Sequence, residues 1–229
     1  MTTADYPFDR YLEIAKAVRT NTSTRMPLVA NIGDFGPNEG KDLVEAGFQA
    51  VYHVQRLREG KDTRISPETR LRTIKSARDA GLDLSYCVEP IGPEHTSEEL
   101  VAEMFRGREH GAVNLACMWR VPVPGLPLSK LGMISEVRLA KIVAVTRIVA
   151  GSTIRAMGVH EPRILPLLAG ANQIYAHTAG FSPRRHPNPV SADSSRGSGY
   201  SVDECRELLK EAGYTPLEGP TKVFQGNWS

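Results

Sequence analysis

The chain has 229 residues, 41 % of them hydrophobic and 24 % charged, with a formal net charge of +2. That length allows one large domain or two small ones, and so slight a positive excess argues against a nucleic-acid surface built on bulk charge. No apolar run reaches the roughly 18 residues of a membrane span, the first residues with Asp5, Asp9 and Glu13 do not read as a signal peptide, and three scattered cysteines, Cys87, Cys117 and Cys205, fit a reducing cytoplasm better than a disulfide framework.

Taken in order, residues 7–19 read as a helix, with Pro7 suited to its first turn and Phe8, Leu12, Ala15 and Val18 recurring near a helical period. A strand is expected over 28–32, a short helix over 37–46 ending at Gly47, and a second strand over 48–54. Ser66 reads as the cap of the next helix, with Pro67 at its first position and Gly81 at its end. A third strand, 82–88, breaks into a loop holding Glu89, Pro90, Gly92, Pro93, Glu94 and His95. Thr96 opens a helix over 97–109, with Glu99 as its capping-box partner. The rhythm continues with a strand at 112–118, a proline-rich loop from 122 to 127, and a helix at 136–149 capped by Ser135. After it come a strand at 152–157, a short helix near 161–169 and a strand at 172–177. Residues 178–200 read as a long loop, and Ser201 with Glu204 makes another capping box for a last helix to about Ala212.

Six strands alternating with helices predict a parallel α/β sheet. A closed (β/α)8 barrel needs eight strands and about 250 residues, and only six residues precede the first helix here. The pattern therefore predicts an incomplete TIM-type barrel, its first two strands absent, with residues 1–200 as the partial barrel and 201–229 as a C-terminal helix and tail packed on it. An open doubly wound sheet is the alternative, but no Gly-x-Gly-x-x-Gly fingerprint supports it.

Polar residues collect where strands end, which is where α/β proteins bind small ligands. They are Asn31 and Asp34; His53, Gln55 and Arg56; Glu89, Glu94 and His95; Trp119 and Arg120; Arg155 and His160; and His177 with Arg184 and Arg185. Alternation puts His53 with Gln55, and Cys87 with Glu89, on shared sides. Arg155 falls inside an apolar stretch, where an unpaired charge is costly. It is expected to meet Glu89, Glu94, Glu161 or a ligand anion. Ordinary alternatives remain at each position: Glu94 solvated or capping the helix, each histidine a hydrogen-bonded structural residue, and the Arg184-Arg185 run a solvated loop. No Gly-x-Ser-x-Gly elbow, Walker loop or close-spaced zinc pair occurs.

Several segments, in order, resemble one family. They are Ser66-Pro-Glu-Thr-Arg-Leu-Arg-Thr-Ile-Lys-Ser-Ala-Arg-Asp-Ala-Gly-Leu82, then Ile91-Gly-Pro-Glu-His-Thr96, Ile142 to Val149, Ser152-Thr-Ile-Arg-Ala156 and Leu168-Ala-Gly-Ala-Asn-Gln-Ile174. Together they resemble the radical S-adenosylmethionine (SAM) enzymes of the biotin synthase group, including the biotin and thiamin synthesis associated region (the BATS domain). The stretch Gly199-Tyr-Ser-Val-Asp-Glu-Cys-Arg-Glu-Leu-Leu-Lys-Glu-Ala-Gly213 points to the branch holding methylornithine synthase and the hydrogenase-cofactor maturases.

By that resemblance His53, Gln55, Glu89, Glu94 and Arg155 are expected at the SAM site, and Arg120, His160, His177 and Arg184 around a small substrate. The family's Cys-x-x-x-Cys-x-x-Cys loop, which ligates a [4Fe-4S] cluster, has no counterpart in this sequence. The resemblance therefore implies a radical-SAM-like protein of cofactor or vitamin biosynthesis, located in the cytoplasm. It would bind SAM or a small anionic substrate and take its cluster from another segment or chain. The alternative is a non-catalytic binding or assembly subunit derived from such a barrel. In either case a protein partner or a second copy is expected to cover the open barrel edges, with no membrane or nucleic-acid partner.

Overall fold

A computed structural model describes residues 7–176 and 200–224. Its six strands are all parallel and lie side by side in chain order: β1 (Val29–Ala30), β2 (Ala50–Tyr52), β3 (Asp83–Ile91), β4 (Ala112–Trp119), β5 (Ala156–Val159) and β6 (Gln173–Ile174). Sequential order is the mark of a singly wound barrel, because a doubly wound sheet reverses direction at a switch point. The sheet curls into a half-barrel. Around it run α1 (Phe8–Asn21), α2 (Pro37–Glu45), α3 (Pro67–Asp79), α4 (Ser97–Glu109), α5 (Glu136–Ala150), α6 (Ile164–Leu168) and α7 (Val202–Glu211). No helix among the described residues is long and apolar enough to cross a membrane.

Local chemistry sets most of these boundaries. The Thr96 hydroxyl accepts the Glu99 N–H and the Glu99 carboxylate accepts the Thr96 N–H, so α4 starts on the expected capping box. Ser201 and Glu204 do the same for α7, and the Ser135 hydroxyl accepts the Arg138 N–H for α5. Ser66 departs from expectation. α3 does begin at Pro67, yet the Ser66 hydroxyl donates to the Glu68 carboxylate and caps no backbone group.

Side chains of β3 and β4 divide cleanly by strand alternation. Tyr86 reaches Glu103 on α4, and the Cys117 sulfur lies 3.3 Å from the Thr146 hydroxyl on α5, so both face the helical layer. Ser85, Cys87 and Glu89, with Asn114 and Ala116 laterally beside them, face the concave side. One continuous core joins the helical layer to the sheet through Leu43, Ile74, Leu84, Tyr86, Met104, Leu115, Leu139, Val143 and Met157. Leu208, Leu209, Ala212 and Tyr214, on and just after α7, pack against it.

β1, β2 and β6 are shorter than their predicted spans, and two further departures move a candidate site residue. β3 continues to Ile91, so Glu89 lies within the strand rather than in the loop. The strand expected over 152–157 starts only at Ala156. After α5, residues 151–153 form a turn in which the Thr153 hydroxyl donates back to the Ala150 carbonyl at 3.1 Å. Arg155 is consequently exposed and precedes β5 at the strand's N-terminal end.

Candidate functional site

At the C-terminal end of β3, Glu89 is buried with both carboxylate oxygens engaged. The Tyr52 hydroxyl donates to Oε2, and Arg56 Nε lies 3.3 Å from Oε1. Burial, with the Glu89 carboxylate beside it, pushes the Tyr52 phenol well up, so this hydroxyl stays a donor.

The loop from Gly92 to His95 carries the second carboxylate. Arg120, just past β4, grips Glu94 with both terminal nitrogens, Nη1 on Oε1 and Nη2 on Oε2 at 3.0 Å. This fork-to-fork pairing fixes both planes. The pair passes over Gly92, where a Cβ would stand 2.6 Å from each terminal guanidinium nitrogen. His95 is buried. Its Nδ1 accepts the Gly92 N–H at 2.8 Å and its Nε2 lies 3.9 Å from Glu94 Oε1. Two further arginines hold the loop's carbonyls. Arg138 donates to the Pro93 and His95 carbonyls at 3.3 and 3.0 Å. Arg58 donates to the Glu94 carbonyl at 2.7 Å while its guanidinium also clasps Glu99. The Glu99 carboxyl is held down at about 2, first by Arg58 and then by the Thr96 N–H.

His53 goes elsewhere. It follows Tyr52, whose hydroxyl is on the concave side, so alternation turns it toward the helices. Its Nε2 lies 3.2 Å from Asp34 Oδ1, and the Phe35 ring stands edge-on to it. Arg70 of α3 meets both Asp34 oxygens at 3.0 Å and Glu59 Oε1 at 3.1 Å. The Asp34 carboxyl is held below the usual carboxylate range, first by His53 and then by Arg70. Gln55 presents its carbonyl to the Tyr86 hydroxyl at 3.2 Å. The structure thus turns His53 toward Asp34 and away from the groups that hold Glu89 and Glu94, with which the resemblance had grouped it.

Along the concave wall, Asn114 Nδ2 lies 3.2 Å from the Ser85 hydroxyl and 3.3 Å from the Tyr175 hydroxyl. Tyr175 crosses β5 at Gly158, where a Cβ would stand 2.7 Å from the phenolic oxygen. The His160 ring lies 6.0 Å from that of Tyr175, and its Nδ1 is 3.4 Å from Glu161 Oε1. Burial alone would lower the His160 imidazole, but Glu161 overcomes it and the net shift is upward. Tyr52, Asn114 and Tyr175 escaped the sequence reading. The signal for Asn114 was its register beside Ser85 on a strand whose alternate residues are apolar. Arg155 is corrected: it is exposed and lies at the opposite end of β5, because the preceding turn delays the strand. His177 and Arg184 lie outside the described residues.

No family model matches the chain. It is 26 % identical over 229 residues to the biotin synthase of Renibacterium salmoninarum, covering 96 % of this chain and 63 % of that protein. It is 30 % identical over 184 residues to the biotin synthase of Rhizobium rhizogenes, covering 73 % and 54 %. Among solved structures, methylornithine synthase superposes with a TM-score of 0.74 at 17 % identity, over 92 % of this chain and 64 % of that one. The FeFe-hydrogenase maturase of Carboxydothermus hydrogenoformans gives 0.68 at 20 %, over 96 % and 55 %. This is a biotin synthase-like chain. The solved structures bear on its fold alone.

The biotin synthase-like chain spans about three fifths of the length of the curated relatives it matches. Its cysteines do not suit a [4Fe-4S] cluster. Cys87 faces the concave side, Cys117 the helices, and Cys205 sits on α7. All three are free and buried. Burial raises the Cys87 thiol well above its ordinary value and pushes Cys117 up to about 12, whereas a cluster needs thiolates. Ligand atoms of Asp62, Glu94 and His95 fall within 4.8 Å of one another. Arg120 already neutralises Glu94, which leaves that trio poorly suited to a cation.

Proposed function

We propose that the chain is a radical-SAM-like component of cofactor or vitamin biosynthesis. In this reading it binds S-adenosylmethionine or a small anionic substrate at the C-terminal ends of its strands, and the iron–sulfur cluster comes from another chain or segment. One observation carries the reading: the rim of a half-barrel holds the Gly92–His95 loop rigidly between three arginines, Arg58, Arg120 and Arg138, with the concave groups Tyr52, Glu89, Asn114 and Tyr175 set below it. Rigid polar groups over a curled parallel sheet suit the orientation of one small polar ligand. SAM would lie along this rim, with Glu94 and Glu89 as its nearest carboxylates. The cluster would supply the electron that cleaves it.

The test is anaerobic reconstitution with iron and sulfide, first of the chain alone and then with a cysteine-rich candidate partner. SAM cleavage to 5′-deoxyadenosine is the readout. Cleavage only in the mixture supports the reading. If no partner restores it and equilibrium dialysis finds no SAM binding, the reading is overturned.

The unsuited cysteines favour a second reading, a non-catalytic binding or assembly subunit whose β1 and β6 edges are covered by a partner or a second copy. Sedimentation of a well-behaved monomer at micromolar concentration counts against it.

A further inference from the structure

Arginines crowd the strand ends, and most are already spent on carboxylates. Arg56 faces Glu89, Arg58 clasps Glu99, Arg70 joins Asp34 and Glu59, and Arg120 grips Glu94. Arg163, in the turn after β5, differs. Its guanidinium carbon lies 5.9 Å over the ring centroid of Trp119, the last residue of β4. No carboxylate among the described residues pairs with it, and its Nε, like that of Arg120, is buried without a hydrogen-bond partner. The nearby Glu161 is turned to His160, its Oε1 3.4 Å from Nδ1, while its Oε2 is buried without a hydrogen-bond partner and makes no ion pair with Arg163.

We infer that Arg163, held over Trp119, is the receptor for an oxyanion, the carboxylate or phosphate group of the small ligand that enters this rim. The inference rests on the proposal that the strand ends take such a ligand, and it names the group that meets the ligand's negative charge. Trp119 is itself buried, so it forms a fixed platform. Contact through the aromatic face orients the guanidinium and leaves its in-plane N–H fork available. That fork matches two oxygens of a carboxylate or phosphate. The orphaned Nε supplies a donor whose burial has no compensation until an acceptor arrives. Arg120 cannot do this work without releasing Glu94, and Arg155 lies at the other end of β5.

Trp119 also serves as the reporter. The chain has two tryptophans, Trp119 and Trp228. In the full chain carrying Trp228→Phe, inorganic phosphate and acetate are titrated separately at low salt while Trp119 emission is followed. A saturable change is expected with at least one of them. In Arg163→Gln its midpoint should rise by at least about tenfold, a loss of roughly 1.4 kcal/mol, with Arg163→Lys in between. Which probe saturates first tells a phosphate ligand from a carboxylate one. No saturable response, or equal midpoints in the parent and Arg163→Gln, overturns the inference. Equilibrium dialysis with SAM keeps the two proposals apart. SAM binding by the parent, together with equal phosphate and acetate midpoints in parent and Arg163→Gln, leaves the proposed function standing and sinks this inference. A phosphate response that depends on Arg163, without SAM binding by either protein, does the reverse.

Discussion

Glu94 and Arg120 form a two-point ion pair that crosses directly over the Cα of Gly92. The pair and the glycine are one device, because any Cβ at position 92 must displace it. Gly92→Ala is expected to cost about 1–3 kcal/mol through overpacking. Arg120→Met, which strands the Glu94 carboxylate, is expected to cost about 3–5 kcal/mol. Urea unfolding of each variant checks this. A Gly92→Ala protein as stable as its parent would show that the pair can slide aside.

Acid sensitivity follows from the same pair. Burial alone would raise the Glu94 carboxyl, but the Arg120 guanidinium prevails and holds it below its ordinary 4.5. The unfolded chain then binds the proton more readily than the folded one, so this contribution is present above pH 4.5 and fades as the pH falls through the folded value. Glu94→Gln should flatten the acid limb of stability below pH 4.5 and lower stability at neutral pH. Melting temperatures from pH 3 to 7 decide it.

His95 acts in a higher window. Burial lowers its imidazole below the ordinary 6.5, and Nδ1 is already committed as the acceptor for the Gly92 N–H. As the pH drops below 6.5 the unfolded state gains a proton that the folded ring resists, and stability falls. His95→Asn should weaken the pH dependence just below 6.5 and leave the limb below 4.5 in place.

The two helix starts at Ser66 and Thr96 separate sequence pattern from geometry. Thr96→Ala removes a real N-cap bond and is expected to cost about 1 kcal/mol. Ser66→Ala removes a hydroxyl that donates only to Glu68 and should change stability by less than about 0.5 kcal/mol. Equal losses in urea would mean that Ser66 caps α3 after all.

Arg70 and Arg155 make a second contrast. Arg70 is 2 % exposed and bridges Asp34 to the buried Glu59, so Arg70→Met is expected to cost about 3–5 kcal/mol. Arg155→Met, at an exposed position, should stay within about 0.5 kcal/mol. Thermal melting of the two variants side by side is the measurement.

The sequence makes the helices, the capping boxes and the parallel alternation legible because these are local. A serine or threonine before an apolar period, with glutamate three residues on, specifies a start wherever the helix later packs. Strand phase is not local. The stretch around Ile154 and Arg155 reads as strand by composition, yet the turn after α5 postpones pairing to Ala156, and that shift took Arg155 out of the site. His53 and Gln55 were rightly read as neighbours of a strand end. Which side of the sheet is concave, however, depends on how the helices pack, and His53 turned toward α3. Tyr52 and Tyr175 were missed because aromatic residues at strand ends look like core, and only their hydroxyl partners mark them as polar lining.

The lengths of the strands carry a last consequence. β3 has nine residues and β4 eight, whereas β1 and β6 have two each. Amide protons should therefore exchange slowest in the middle of the sheet and fastest at its margins. The Glu94–Arg120 clasp grows out of the two long strands, while Asp34 and Tyr175 follow the two short ones. Partial opening would then loosen the flanks of the rim while the clasp holds. In a hydrogen–deuterium exchange experiment, peptides around Asp34 and Tyr175 should take up label well before those spanning Tyr86 to Ile91 and Leu115 to Trp119.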